Sequence, residues 1–202
     1  MSAIAVDIET IPAATEPAVW TLPARGVVGM VSFIIAESAI FTIFVVAYLF
    51  YLGKSLTGPT PRDVLEVPIF YTLCLLSSSV TIHVAGKRLD RAEPNTFLVY
   101  WLMTIALGAT FMFGTAQEWR RLIYEHGLTI STNLFGTTYY SLVGLHASHV
   151  TLGLVMLTIV AWLSVASDIR RQSRRVATLS LYWHFVDVVW VVVFTVVYVI
   201  GR

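Results

Sequence analysis

Five stretches of the chain, at roughly 26-52, 68-86, 96-124, 137-166 and 180-201, are almost unbroken in apolar residues. Each is set off by a polar or Pro/Gly-containing break. About 20 apolar residues in helical form are enough to cross the hydrocarbon core of a bilayer. The pattern therefore predicts an all-α, polytopic membrane protein: a bundle of five transmembrane helices in a membrane domain spanning 26-202, preceded by a flexible polar tail at 1-25. The first linker, GKSLTGPTPRDVLEVP, is rich in turn formers. Pro68 suits the first turn of the second span, where its missing N–H would be unpaired in any case. No internal repeat is evident.

Composition narrows the class further. Hydrophobic residues make up 57% of the 202 positions and charged residues 12%, too much apolar surface for one soluble core of this size. The formal net charge of +1 and the lack of a basic, aromatic-interleaved groove argue against a nucleic-acid partner. A single cysteine, Cys74, within an apolar run excludes an internal disulfide and a multi-thiolate metal centre, and reads as a small buried side chain. The first 25 residues contain Asp7, Glu9, Glu16 and three prolines and lack a basic leading region, so they do not resemble a cleaved signal peptide.

Charge also sets the expected orientation. Five crossings place the two ends of the domain on opposite sides, and Lys/Arg accumulate on the cytoplasmic one. With the N-terminus inside, the inner segments carry Arg25, Lys87, Arg88, Arg91, Arg170, Arg171, Arg174 and Arg175; the outer ones carry Lys54, Arg62, Arg120, Arg121 and Arg202. The expectation is a cytoplasmic N-terminus and a periplasmic C-terminus. The DIRRQSRR loop reads first as a solvated, headgroup-facing segment, with anionic-lipid binding as the sharper alternative.

Ionisable residues inside these spans are the candidate chemistry, since a charge at the centre of a spanning helix costs about 2.5–3.5 kcal/mol on insertion scales and calls for a partner. Glu37 lies near the middle of the first span, Glu118 near the outer end of the third, and His83 near the inner end of the second. His146 and His149 share one face of the fourth span, and His184 and Asp187 share one face of the fifth. Two histidines one turn apart on one helix cannot clasp a haem from opposite faces, and no copper-type constellation is present. His146, His149 and His184 therefore read as interhelical hydrogen-bonding groups, and no catalytic, metal or cofactor-binding residue is assigned. Glu118 beside Arg120 and Arg121 suggests an interfacial ion pair or hydrogen bond. Glu37 is either a protonated, hydrogen-bonded carboxyl or a functional proton- or lipid-linked site. Trp183 and Trp190 flank Asp187 and offer indole N–H donors, while Gly144, Ala147, Ser148, Thr151 and Gly153 form a small-residue face on the fourth span.

The same stretches resemble subunit III of the haem-copper respiratory oxidases. YWHFVDVVWVVVFTVVY is similar to that family's terminal-helix signature, FGTTYYSLVGLHASHVTLGL to the helix before it, GMVSFIIAESAIF to the helix with its intramembrane glutamate, and AQEW to a further short element. The resemblance implies a non-redox accessory subunit of a proton-pumping cytochrome c oxidase in aerobic respiration. Such a subunit stabilises catalytic subunit I, supports proton uptake and binds phospholipid. It implies oxidase subunits I and II and membrane lipids as partners, with haem and copper in those partner subunits, a bacterial cytoplasmic membrane, and scope for a respiratory supercomplex. By position Glu37 matches the family glutamate, and Glu118, His146, His149, His184 and Asp187 match its recurring structural polar sites. The long family form has two further N-terminal helices forming a lipid-filled V, so this short form leaves one wall of that cleft missing. A quinol oxidase subunit III is the alternative within the family. A haem-binding, cytochrome b-like membrane anchor and a small transporter are the rivals outside it.

Overall fold

The computed structural model describes residues 25–55, 57–166 and 173–202. Its five long helices are α1 (Arg25–Tyr51), α3 (Ile69–Asp90), α4 (Pro94–Tyr124), α5 (Leu134–Ala166) and α6 (Ser173–Phe194). A four-residue helix, α2 (Pro61–Val64), precedes α3, and α6 runs on through Thr195–Ile200 in a wider i→i+5 turn that ends at the Gly201 N–H to Val196 carbonyl bond. All five long helices are long and apolar enough to cross a membrane. The chain is therefore a multi-pass membrane protein. The tail at 1–24 and most of the DIRRQSRR loop lie outside the described residues.

The helices are longer than their apolar cores. Proline at the first position of α4, after a turn in which Ala92 takes a left-handed φ of 58°, starts that helix two residues before the apolar run. The α3 helix continues through Lys87 and Arg88 to Asp90, and an Arg88–Glu93 ion pair at 2.9 Å closes the α3–α4 turn. Charged helix ends reach beyond the hydrocarbon, so backbone hydrogen bonding outlasts hydropathy. The first linker is also less irregular than its turn formers suggest: Pro61 opens α2, and the Thr60 N–H and hydroxyl both donate to Asp63.

Helix α6 packs against α1, α3 and α5, and α4 bridges α3 and α5. It is the most buried of the spans and α1 the most exposed. Its buried stripe, Leu179, Tyr182, Trp183, Val186, Trp190, Val193 and Val197, forms the middle of the core. The outer surface is apolar, with Ile43 67% and Val188 63% exposed, as lipid or another membrane helix requires. Glycines admit the large rings. Trp183 is fully buried between Gly108 of α4 and Gly153 of α5, and the Tyr71 ring lies flat on Gly114.

Candidate functional site

The intramembrane polar residues sort into three groups held between helices. The first joins α1 and α5. Glu37 Oε2 lies 3.2 Å from His149 Nε2, while His149 Nδ1 lies 2.8 Å from the Leu145 carbonyl. A carbonyl only accepts, so Nδ1 carries a hydrogen. The Glu37–His149 contact then holds one further proton, either on the carboxyl or on Nε2, and the pair is electrically neutral in both arrangements. Tyr182 of α6 donates to the His149 carbonyl at 2.9 Å, and Phe41 packs against the imidazole. Glu37 on the first span thus has a histidine partner on the fourth, 112 residues along the chain.

The second group joins α3 and α6. Ser79 Oγ donates to Asp187 Oδ2 and also meets His184 Nδ1 at 2.9 Å, so His184 and Asp187 converge on a serine of α3 instead of pairing with each other. The tryptophans do not reach the carboxylate. Trp183 Nε1 donates to Ser78 Oγ at 2.8 Å and Trp190 Nε1 to Thr72 Oγ1 at 3.2 Å, which with the two Ser79 contacts makes four bonds along the α3–α6 seam. Asp187 is 3% exposed and its Oδ1 has no hydrogen-bond partner among the described residues.

The third group lies at the opposite end of the bundle from Lys87 and Arg175. Tyr198 donates its hydroxyl toward both Glu118 oxygens, at 2.8 and 3.0 Å, and stands 3.5 Å from the Tyr139 hydroxyl. Arg121 pairs with Glu66, just before α3, instead of with Glu118. A cavity of about 340 Å³ lined by Glu66, Tyr71, Gln117, Glu118 and Arg121 opens beside them.

His146 behaves differently from the other histidines. It is 1% exposed, neither ring nitrogen has a hydrogen-bond partner among the described residues, and it stacks on Trp190 with centroids 4.9 Å apart while Phe111 meets it edge-on. The hydrogen-bonding role read from sequence is filled by aromatic packing at this position. Gly153 does receive a large neighbour, Trp183, as the small-residue face predicted, and Gly144 packs against Trp119. Among the described residues no group of three or more His, Cys, Asp or Glu is placed to hold a metal ion.

Ser79, Thr72, Tyr198 and Glu66 are partners that the sequence reading did not single out. The run Ser77–Ser79 inside an apolar span was the available signal for the first. Nothing in the sequence distinguishes Tyr198 from other aromatic residues near a span end. A separate cleft of about 1310 Å³ lies between the starts of α1 and α6 and the end of α5, with Met30, Met156 and Ile159 on its apolar walls and Arg174 and Arg175 in its lining.

A five-span helical bundle whose polar groups tie helix to helix defines a multi-pass membrane protein. The family described as Cytochrome c oxidase subunit III matches residues 22–202, and the chain belongs to it. It is 40% identical over 178 residues to cytochrome c oxidase subunit 3 of Synechocystis sp., covering 85% of this chain and 74% of that protein. It is 32% identical over 196 residues to cytochrome c oxidase subunit 3 of Bacillus sp. (strain PS3), covering 96% and 94%. It is 32% identical over 178 residues to cytochrome bo(3) ubiquinol oxidase subunit 3 of Pseudomonas aeruginosa, covering 87% of this chain and 85% of that protein.

Proposed function

We propose that this chain is the accessory subunit III of a proton-pumping cytochrome c oxidase in a bacterial cytoplasmic membrane. It carries no redox centre of its own, braces the catalytic subunit, and leaves haem and copper to its partner subunits I and II. The observation that carries this reading is family membership over residues 22–202, together with intramembrane polar side chains turned toward neighbouring helices. The relative at 40% identity bears the cytochrome c name and the quinol oxidase relative stands at 32%, which favours cytochrome c as donor. The second reading, a quinol oxidase subunit, rests on that latter match, which covers 87% of this chain and 85% of its relative.

The grouping of Lys87, Arg88, Arg91, Arg174 and Arg175 at one end of the bundle supports a cytoplasmic placement of that end and an N-terminus inside. The neutral, one-proton Glu37–His149 pair suits a proton-linked role, because moving its proton between the two residues leaves the pair neutral. The cleft with methionine walls and two arginines suits phospholipid: acyl chains against the walls and an anionic headgroup at the guanidinium groups. Purification through a tag on this chain, followed by mass spectrometry and a haem spectrum, tests the assignment. Recovery of a haem-copper subunit I supports it, and turnover with reduced cytochrome c but not quinol fixes the donor. A Soret band from the isolated chain, or recovery of no oxidase subunit, overturns it.

A further inference from the structure

The α3–α6 seam carries a polar group that the bundle does not complete. Along α3, Ser79 precedes Lys87 by eight residues, about 12 Å of helix rise; along α6, His184 follows Arg175 by nine, about 14 Å. Half of a hydrocarbon core is about 15 Å. Ser79, His184 and Asp187 therefore sit close to the middle of the membrane.

The hydrogens along this line follow from Asp187 accepting the Ser79 hydroxyl. Ser79 has one hydroxyl hydrogen and donates it to Asp187 Oδ2, so its contact with His184 Nδ1 requires the ring N–H as donor. A neutral imidazole protonated at Nδ1 leaves Nε2 as an acceptor. That nitrogen has no hydrogen-bond partner among the described residues, and it is not among the fully enclosed polar atoms. His184 is only partly buried, and the residues beside it on the outer stripe of α6 are Val188, Val191 and Val192, 63%, 47% and 46% exposed. Acyl chains offer nothing to an imidazole acceptor at this depth, and an unmet polar group in hydrocarbon is costly.

We propose that the α3–α6 face is where this chain docks on a partner transmembrane helix, and that the partner supplies an O–H or N–H donor to His184 Nε2 at mid-membrane. The occupant is a helix of another subunit of the same oxidase, so the inference rests on the function proposed above. The valine stripe gives a rigid, branched surface for the apolar part of the contact, and His184 fixes its depth and rotation. Asp187 and Ser79 act through His184 as positioning residues, holding the imidazole in the tautomer that accepts.

A photoreactive side chain placed at Val188 in the intact oxidase, purified through this chain, tests the assignment. The expected result is an adduct with a transmembrane peptide of an oxidase subunit, with none from the same probe at Val155 on α5, which is 51% exposed. His184→Phe, which keeps a planar ring without the acceptor, is expected to lower co-purified partner on the order of fivefold, the equilibrium factor of one net hydrogen bond. Circular dichroism of that variant chain should remain unchanged. Lipid adducts alone at Val188, or full partner recovery with His184→Phe, overturn the docking face while leaving the functional assignment standing. Failure to recover any oxidase subunit with the unmodified chain overturns both.

Discussion

Adding a single methyl group on either side of Trp183 tests how tightly α6 is gripped by the bundle. The indole is held at its nitrogen by Ser78 of α3 and lies between Gly108 and Gly153. A Cβ at Gly108 would stand 2.9 Å from Trp183 Cη2, and one at Gly153 would stand 2.7 Å from Cζ3. Carbon atoms pack at about 3.5 Å or more. The intrusions are thus about 0.6 and 0.8 Å, more than a packed ring absorbs without moving. Overpacking of this kind costs about 1–3 kcal/mol, and alanine returns about 1 kcal/mol of helix propensity, so each single variant should lose about 0–2 kcal/mol.

The double variant separates this argument from a general intolerance of substitution. After Gly153→Ala alone the ring can lean toward Gly108, and after Gly108→Ala alone it can lean toward Gly153. With both methyls present neither movement remains, so the double loss should exceed the sum by about 0.5 kcal/mol or more. Denaturant titration of the detergent-solubilised chain, followed by tryptophan fluorescence, measures the three values. Strict additivity, or a single variant more stable than the parent, would refute the picture of an indole pinned from both sides.

Tyr198→Phe removes the donor on which both Glu118 oxygens rely and should destabilise the chain by about 1–3 kcal/mol in the same titration, with Glu118→Gln in the same chain recovering part of the loss. Outside the spans, the hydrogen bond and charge of Arg121 hold the Glu66 carboxyl below its ordinary value. Its folded state therefore favours the ionised form, and the attachment of the α2 segment to α4, present above the ordinary carboxylate range, should weaken as pH falls below about 4. Amide exchange of residues 60–66 at pH 6 and pH 3.5 checks this, and Arg121→Gln should remove the difference. Glu37→Ala should leave electron transfer in the oxidase nearly intact while changing proton uptake or accelerating inactivation over prolonged turnover; unchanged kinetics would reduce Glu37 to a packing residue.

The spans were readable because hydropathy is a one-dimensional property: apolar stretches such as LYWHFVDVVWVVVFTVVYVIGR are long enough to cross a bilayer wherever they sit. Their polar residues were readable as sites for the same reason, since a carboxylate in such a run stands out. The partners were not. Which residue meets Asp187 depends on how α3 and α6 are rotated about their axes, and that rotation is set by the Trp183 and Trp190 side chains seated on α3 and by glycines on other helices. Sequence proximity misled twice. It suggested Arg120 and Arg121 for Glu118, whereas Arg121 reaches back to Glu66 in a linker more than fifty positions earlier, and it suggested indoles for Asp187 because they share its helix face. A residue on the same helix points beside its neighbour; a residue on a facing helix points at it.

The position of Trp183 also bears on the order of assembly. The helix that carries it is threaded into the membrane after the other four, yet it fills the space between α3, α4 and α5. Until it arrives, Ser78, Gly108 and Gly153 border an unfilled gap, although α3–α4, α4–α5 and α1–α5 can already pack without it. Closure of the core is therefore coupled to completion of the last span: a chain ending before Trp183 lacks the ring that fills the space between these glycines.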